Sequence, residues 1–215
     1  MISFDVITLF PNLFTEHLKN LPFKKAVELG LANFNLHNLR YFSSDNYKTV
    51  DDKPFGGGVG MVLKPEPIFK AVNSINKNRN TKIVTLSPRG KKYNQEIARE
   101  YLSLSQIILI CGRYEGIDER VLTYLSDDVV SIGDFILSGG EVPALLIMES
   151  VVRLLPGVLE KEEASLNESF SREVVEYPQY TRPQDFNGLK VPDVLTSGNH
   201  KEIEKWRKEN SKPLE

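Results

Sequence analysis

Short apolar or alternating runs at residues 2–8, 34–41, 82–86, 106–111 and 129–132 have the length and β-branched content of strands. Helical spacing of apolar residues occupies 65–76, 94–104, 118–125 and 143–155, and several of these segments open on Pro, Asn or Asp, as helix starts do. Strands that alternate with helices predict an α/β domain whose mostly parallel sheet is covered on both faces, closing near Pro156-Gly157. The segment 143–155 is apolar nearly all round, broken only by Glu149, Ser150 and Arg153, so it is expected in the core or at a subunit interface. Glu149 and Arg153 are four residues apart, which by itself predicts an ordinary helical ion pair.

The pattern changes after Leu159. Residues 160–176 carry six Glu against Lys161 and Arg172 with no clear period, and read as a flexible interdomain linker. Residues 177–215 hold Pro178, Pro183 and Pro192 and then a short helical pattern around 202–209 with Trp206; this small C-terminal domain is too small to hold much core alone. The expected organisation is therefore 1–159, 160–176 and 177–215.

Composition narrows the class. The chain has 215 residues, 40% hydrophobic and 26% charged, enough apolar material for a packed core. Its net charge of −2 announces no polyanion partner, so any such site must be a local patch. Candidates are residues 70–100, with eight basic and two acidic residues, and 197–212, with five basic and three acidic, where RNA phosphates could be held. Cys111 is the only cysteine, which excludes an intrachain disulfide and fits a reducing cytoplasm. The N-terminus lacks the basic n-region of a signal peptide, and the longest apolar stretch, 142–152, is too short to span a bilayer. His17, His37 and His200 stand singly, so no transition-metal site is expected.

Three glycine-rich segments concentrate the candidate chemistry: FGGGVG at 55–60, GRYEG at 112–116 and GDFILSGGE at 133–141. Two follow predicted strands, and in a parallel α/β sheet ligands bind beyond the carboxyl ends of strands, where backbone must approach closely. Together with 87–90 they point to one pocket, although each glycine alone also suits a turn or a cap. Neither a Walker A sequence nor a strand-linked G-x-G-x-x-G occurs, so ATP hydrolysis and a dinucleotide site are unsupported. The long polar segment 43–60 is a candidate substrate loop.

Ordered motifs run through the whole chain: FDVITLFP (4–11), DDKPFGGGVGM (51–61), LSPRG (86–90), CGRYEGIDER (111–120), SIGDFILSGGE (131–141), RLLPGVL (153–159), ESF (168–170), YTRP (180–183) and SGNH (197–200). In order and wording they resemble the bacterial tRNA (guanine-N1)-methyltransferase family, TrmD, of the SPOUT superfamily. The resemblance implies an α/β SPOUT-type parallel sheet with a C-terminal-side trefoil knot, plus a small mostly helical C-terminal domain that binds tRNA. It further implies a cytoplasmic homodimer whose pocket is completed by the partner chain.

The implied activity is methyl transfer from S-adenosylmethionine (SAM) to N1 of the guanosine at position 37 of tRNA. By the same resemblance, SAM lies against Leu86, Ser87, Pro88, Gly112, Tyr114, Glu115, Ile132, Gly133, Asp134, Phe135, Ile136, Leu137, Gly139 and Gly140. Glu168 is implied as general base, Arg153 as the group that stabilises charge on guanine O6, and Glu115 as a support for base or cosubstrate. Mg²⁺, if used, would be held by carboxylates and substrate oxygens. Alternatives are a SPOUT methyltransferase acting on another RNA site and a non-catalytic RNA-binding knot protein. The chain departs from the family pattern at Val59, usually Pro, at Glu160, usually Gly, and at Arg172, usually acidic; it also ends at KPLE, earlier than many relatives.

Overall fold

A computed structural model describes residues 1–159 and 174–213, which fall into two compact units, Met1–Leu159 and Glu160–Glu215. The first is built on a five-stranded sheet in the order β2-β1-β6-β5-β7, formed by β1 (Ile2–Thr8), β2 (Ala32–Asn38), β5 (Thr81–Lys92), β6 (Gln106–Cys111) and β7 (Asp128–Ser131). Every pairing in it is parallel. A small antiparallel pair, β3 (Asp51–Asp52) with β4 (Val62–Leu63), stands apart from it.

The central strand β6 is buried along its whole length, and its period of two divides the core. Ile107, Leu109 and Cys111 point into one cluster with Phe4, Val6 and the buried residues of α1 (Asn12–Leu18), α2 (Phe23–Glu28), α4 (Gln95–Leu102) and α6 (Glu141–Val152). Ile108 and Ile110 point the other way, into a cluster with Ile7, Leu63 and the buried face of α3 (Pro65–Ser74), to which Val121 of α5 (Glu119–Tyr124) belongs. Helix starts follow the local chemistry: the Asn94 side chain accepts from the Ile97 N–H at 3.0 Å, and Asp118 accepts from Arg120 N–H at 3.0 Å.

Several boundaries differ from expectation. The strand expected over 34–41 runs from Ala32 to Asn38, and Leu39–Phe42 form a 3₁₀ turn. The strand expected to stop at Leu86 continues to Lys92: both Leu86 and Lys91 face Val130, so residues 87–90 bulge out of the ladder at the cavity described below. The helix expected from Pro143 starts at Glu141, because a proline in the first turn gives up an N–H that has no helical partner anyway.

Described by itself, the second unit contains the helices Asp193–Thr196 and His200–Asn210. Two short antiparallel pairs accompany them, 185–186 with 189–190, and Val174–Val175 with Lys212–Pro213. The latter uses the end of the segment read as linker. Trp206 meets the rings of Tyr177 and Tyr180 at 6.2 and 6.3 Å, and the Arg207 guanidinium sits 5.0 Å from the Tyr177 ring.

Candidate active site

The bulge within β5 and the segments that follow β6 and β7 enclose a cavity of about 470 Å³. Its lining takes in Leu86, Ser87, Pro88, Gly112, Tyr114, Glu115, Ile132, Gly133, Phe135, Ile136, Leu137, Gly139 and Gly140. Asp134, from the same expected set, is not in the lining; its carboxylate pairs with Lys92 instead. The cavity also uses Arg89, Arg113, Gly116, Ile117, Leu122, Val130, Ser131, Ser138 and Pro143, to which no role was given from sequence.

Close packing sets the geometry. The Gly140 N–H donates to the Gly112 carbonyl at 2.9 Å, and a Cβ at Gly140 would lie 2.8 Å from Cys111 Cα, so only glycine fits. Tyr114 adopts φ of +59°, unusual for a residue with a side chain, and local strain of this kind gathers where backbone shapes a site. The glycine-rich loop after β3 joins the same place: Glu115 N–H donates to Met61 O at 3.0 Å, and Leu63 N–H to Gly116 O at 3.0 Å. In that loop Phe55 and Val59, the latter the departure from proline, are fully exposed.

Electrostatics centre on one buried group. The Glu141 carboxylate, 1% exposed as a residue, accepts from Thr8 Oγ1 at 2.8 Å and from Arg113 Nε at 2.9 Å. Both residues fall inside quoted motifs, and opposite charges in two glycine loops were the available signal. Burial pushes the Cys111 thiol well above its ordinary pKa, so it is an inert packing group and not a nucleophile. Among the described residues, no three His, Cys, Asp or Glu side chains gather as a metal cage.

Of the two residues expected to act on the base, only Arg153 is among the described residues. Glu168 lies outside the described residues, as do Glu160 and Arg172. Arg153 is half-buried at the C-terminal end of α6, its N–H donating to Glu149 O at 3.0 Å, and is not in the cavity lining. Ten residues separate it from Pro143 in that lining, roughly 15 Å at the helical rise. The basic excess over 70–100 is also less than the sequence suggests. Lys70, Lys82, Arg89, Lys91 and Lys92 all form ion pairs, mostly with acids distant in sequence such as Asp128, Glu119 and Asp134.

With the cavity defined, comparison with known proteins is decisive. A family model described as tRNA (Guanine-1)-methyltransferase TrmD matches residues 2–213. The chain belongs to the TrmD family. Among its curated relatives, the tRNA (guanine-N(1)-)-methyltransferase of Clostridioides difficile is 48% identical over 213 residues, covering 98% of this chain and 92% of the relative. Proteins of the same name from Carboxydothermus hydrogenoformans and Prochlorococcus marinus are 51% and 53% identical, covering 98% and 96% of this chain and 83% and 84% of theirs. Among the described residues no helix is long and apolar enough to cross a membrane.

Proposed function

We propose that this chain methylates N1 of guanosine 37 in tRNA, using SAM as donor. The observation that carries the reading is the cavity of a TrmD-family chain, assembled from three of the motifs quoted above, 86–90, 111–120 and 131–141. The residues fit the donor: a volume of about 470 Å³ suits a ligand of this size, the wall is apolar at Ile132, Phe135, Ile136 and Leu137, and glycines at 112, 133, 139 and 140 put no side chain between a ligand and the backbone. Bound SAM supplies an electrophilic methyl group on a sulfonium. Leu86, Ser87 and Pro88 with Gly112, Tyr114 and Glu115 would hold it together with Ile132, Gly133, Phe135, Ile136, Leu137, Gly139 and Gly140.

The protein must handle a proton. Guanine N1 is protonated at neutral pH, so its lone pair is unavailable until a base removes that proton. Glu168 is assigned as this base. The Arg153 guanidinium donates to O6, where negative charge develops as N1 is deprotonated. Holding the base and the methyl carbon within reach of one another supplies much of the rate.

A homodimer belongs to the same reading. α6 buries Ala144, Ile147, Met148, Val151 and Val152 but leaves Val142 and Leu146 exposed, at 61% and 42%. An apolar face of this kind calls for a partner, and a second copy would bring its own Arg153 to a cavity that lies far along the helix from the Arg153 of the same chain. A threaded backbone is supported by the strand order: after β7, on the far side of β5, the chain returns across β5 to bond Gly112 at the end of β6. The second unit is assigned to grip tRNA.

Incubation of unmodified tRNA transcripts with radiolabelled SAM tests the reading. Label is expected in 1-methylguanosine and to vanish when guanosine 37 is replaced. Incorporation that ignores this replacement would favour action on another RNA site, and no transfer at all would favour a binding protein.

A further inference from the structure

The ion pair Arg113–Glu141, its carboxylate buried, takes part in no step of the reaction above, yet it joins the two glycine loops of the cavity wall, 112–116 and 133–140, to the end of β1. Glu141 opens α6, and its side chain is 2% exposed. Thr8 at the end of β1 donates to one of its oxygens and Arg113 from the loop after β6 to the other. The same guanidinium reaches forward through Nη1 to Ser138 O at 3.2 Å, packs 4.5 Å from the Phe10 ring, and its residue bridges to Gly139. Thr8 Oγ1 in turn accepts from Phe10 N–H at 2.9 Å. One carboxylate and one planar fork thus tie four stretches of chain at fixed spacing.

A buried ion pair is a poor way to add stability, since apolar side chains of similar volume usually serve as well. What it adds is direction: two acceptor oxygens and a rigid fork define distances and angles that methyl groups do not. Arg113 and Ser138 line the cavity from opposite loops, so whatever fixes one against the other fixes the width of the site. We infer that Arg113 and Glu141 are positioning residues that hold the 112–116 and 133–140 loops at the separation SAM requires before SAM arrives. This inference rests on the cavity being the SAM site. Pre-organisation of this kind improves affinity because binding no longer has to order the loops.

The test uses the full chain with Glu141→Gln, Arg113→Lys and the double substitution. SAM affinity is measured by calorimetry, and amide exchange is followed in protein without SAM. Each single variant is expected to bind SAM at least about ten-fold more weakly, and the double no more weakly than the worse single, because the pair acts as one unit. In free protein, exchange should accelerate in 112–116 and 133–140 while β1 and β6 stay protected. Arg113→Lys keeps the charge and carries the test alone if Glu141→Gln fails to fold. SAM affinity within about two-fold of wild type in Arg113→Lys, or exchange that rises in β1 and β6 together with the loops, overturns the inference. A wild-type protein that does not bind SAM overturns the cofactor reading itself, and the clamp loses its purpose with it.

Discussion

Replacing Gly140 by alanine should separate cofactor binding from folding. The new Cβ would stand 2.8 Å from Cys111 Cα, 2.9 Å from Gly112 N and 3.2 Å from Cys111 C. Carbon atoms pack at about 3.5–4.0 Å, so the overlap is at least about 0.7 Å against backbone. That backbone cannot retreat, because it ends a strand buried along its whole length. The 133–140 loop must move, and the 2.9 Å bond from Gly140 N–H to Gly112 O goes with it. Overpacking of this size costs about 1–3 kcal/mol and the lost bond about 1 kcal/mol. If the loop relaxes in the free protein and SAM must restore it, most of this appears in binding, as an affinity loss of about 10–100-fold. Calorimetry with SAM, beside thermal melts with and without it, reads both parts. Gly56→Ala is the control: nothing lies within 4 Å of its Cβ, and its φ of +84° predicts only a local penalty of about 1 kcal/mol with SAM affinity unchanged. A Gly140→Ala protein that binds SAM like wild type would show that the two loops do not set the site.

Arg153→Ala should lower kcat about 10²–10³-fold while SAM affinity stays within about two-fold; near-normal turnover removes Arg153 from the mechanism. If each site takes its loops from one protomer and Arg153 from the other, mixing Gly140→Ala and Arg153→Ala proteins at a SAM concentration too low for Gly140→Ala alone to turn over should restore about a quarter of the sites, and no recovery on mixing counts against a shared site. Burial pushes the Asp5 carboxyl up, but bonds from His37, Gln106 and Asn35 outweigh it and hold its pKa below the ordinary value. Its contribution is therefore present above about pH 3.9, the unfolded value, and is lost as pH falls through the lower folded one; melts between pH 5 and 2 should steepen less in Asp5→Asn, and equal slopes refute this. Tyr101→Phe removes the 2.9 Å bond from a buried hydroxyl to Asp128 and should cost about 1–2 kcal/mol without changing methyl transfer; a fall in kcat would reveal a link to the site that the geometry does not suggest.

What the sequence made legible was what short-range periodicity encodes. β1 and β6 are found at their expected limits: β6 is a compact apolar run between Ser105 and Gly112, and β1 alternates apolar with polar residues ahead of Pro11. α1 and α2 were missed for the same reason in reverse. They have seven and six residues, each buries only Phe14 or Phe23 with Ala26, and so few positions do not establish a helical period. Pro88 and Gly90 read as the end of a strand, whereas β5 resumes at Lys91 because Val130 is available as a partner for residues on both sides of the bulge.

The site divides along the same line. Glycine loops are visible in one dimension because the backbone itself is the functional group, and the residue type that frees it is written in place. Side-chain chemistry between distant segments is not: Thr8 and Glu141 are 133 residues apart, Arg113 and Glu141 28 apart, and only the sheet order brings them together. The same limit explains the basic run at 70–100. A count along the chain sees Lys82 and Lys91 as two positive charges, while the fold sets Asp128 against both of them at 3.1 and 2.9 Å. Charge read from sequence therefore overstates what a polyanion would meet, and a cavity read from glycines understates the ion pair that gives it its shape. Family membership strengthens the first kind of reading by adding motifs, but the second kind needs coordinates, because a motif records which residues occur and not which of them touch.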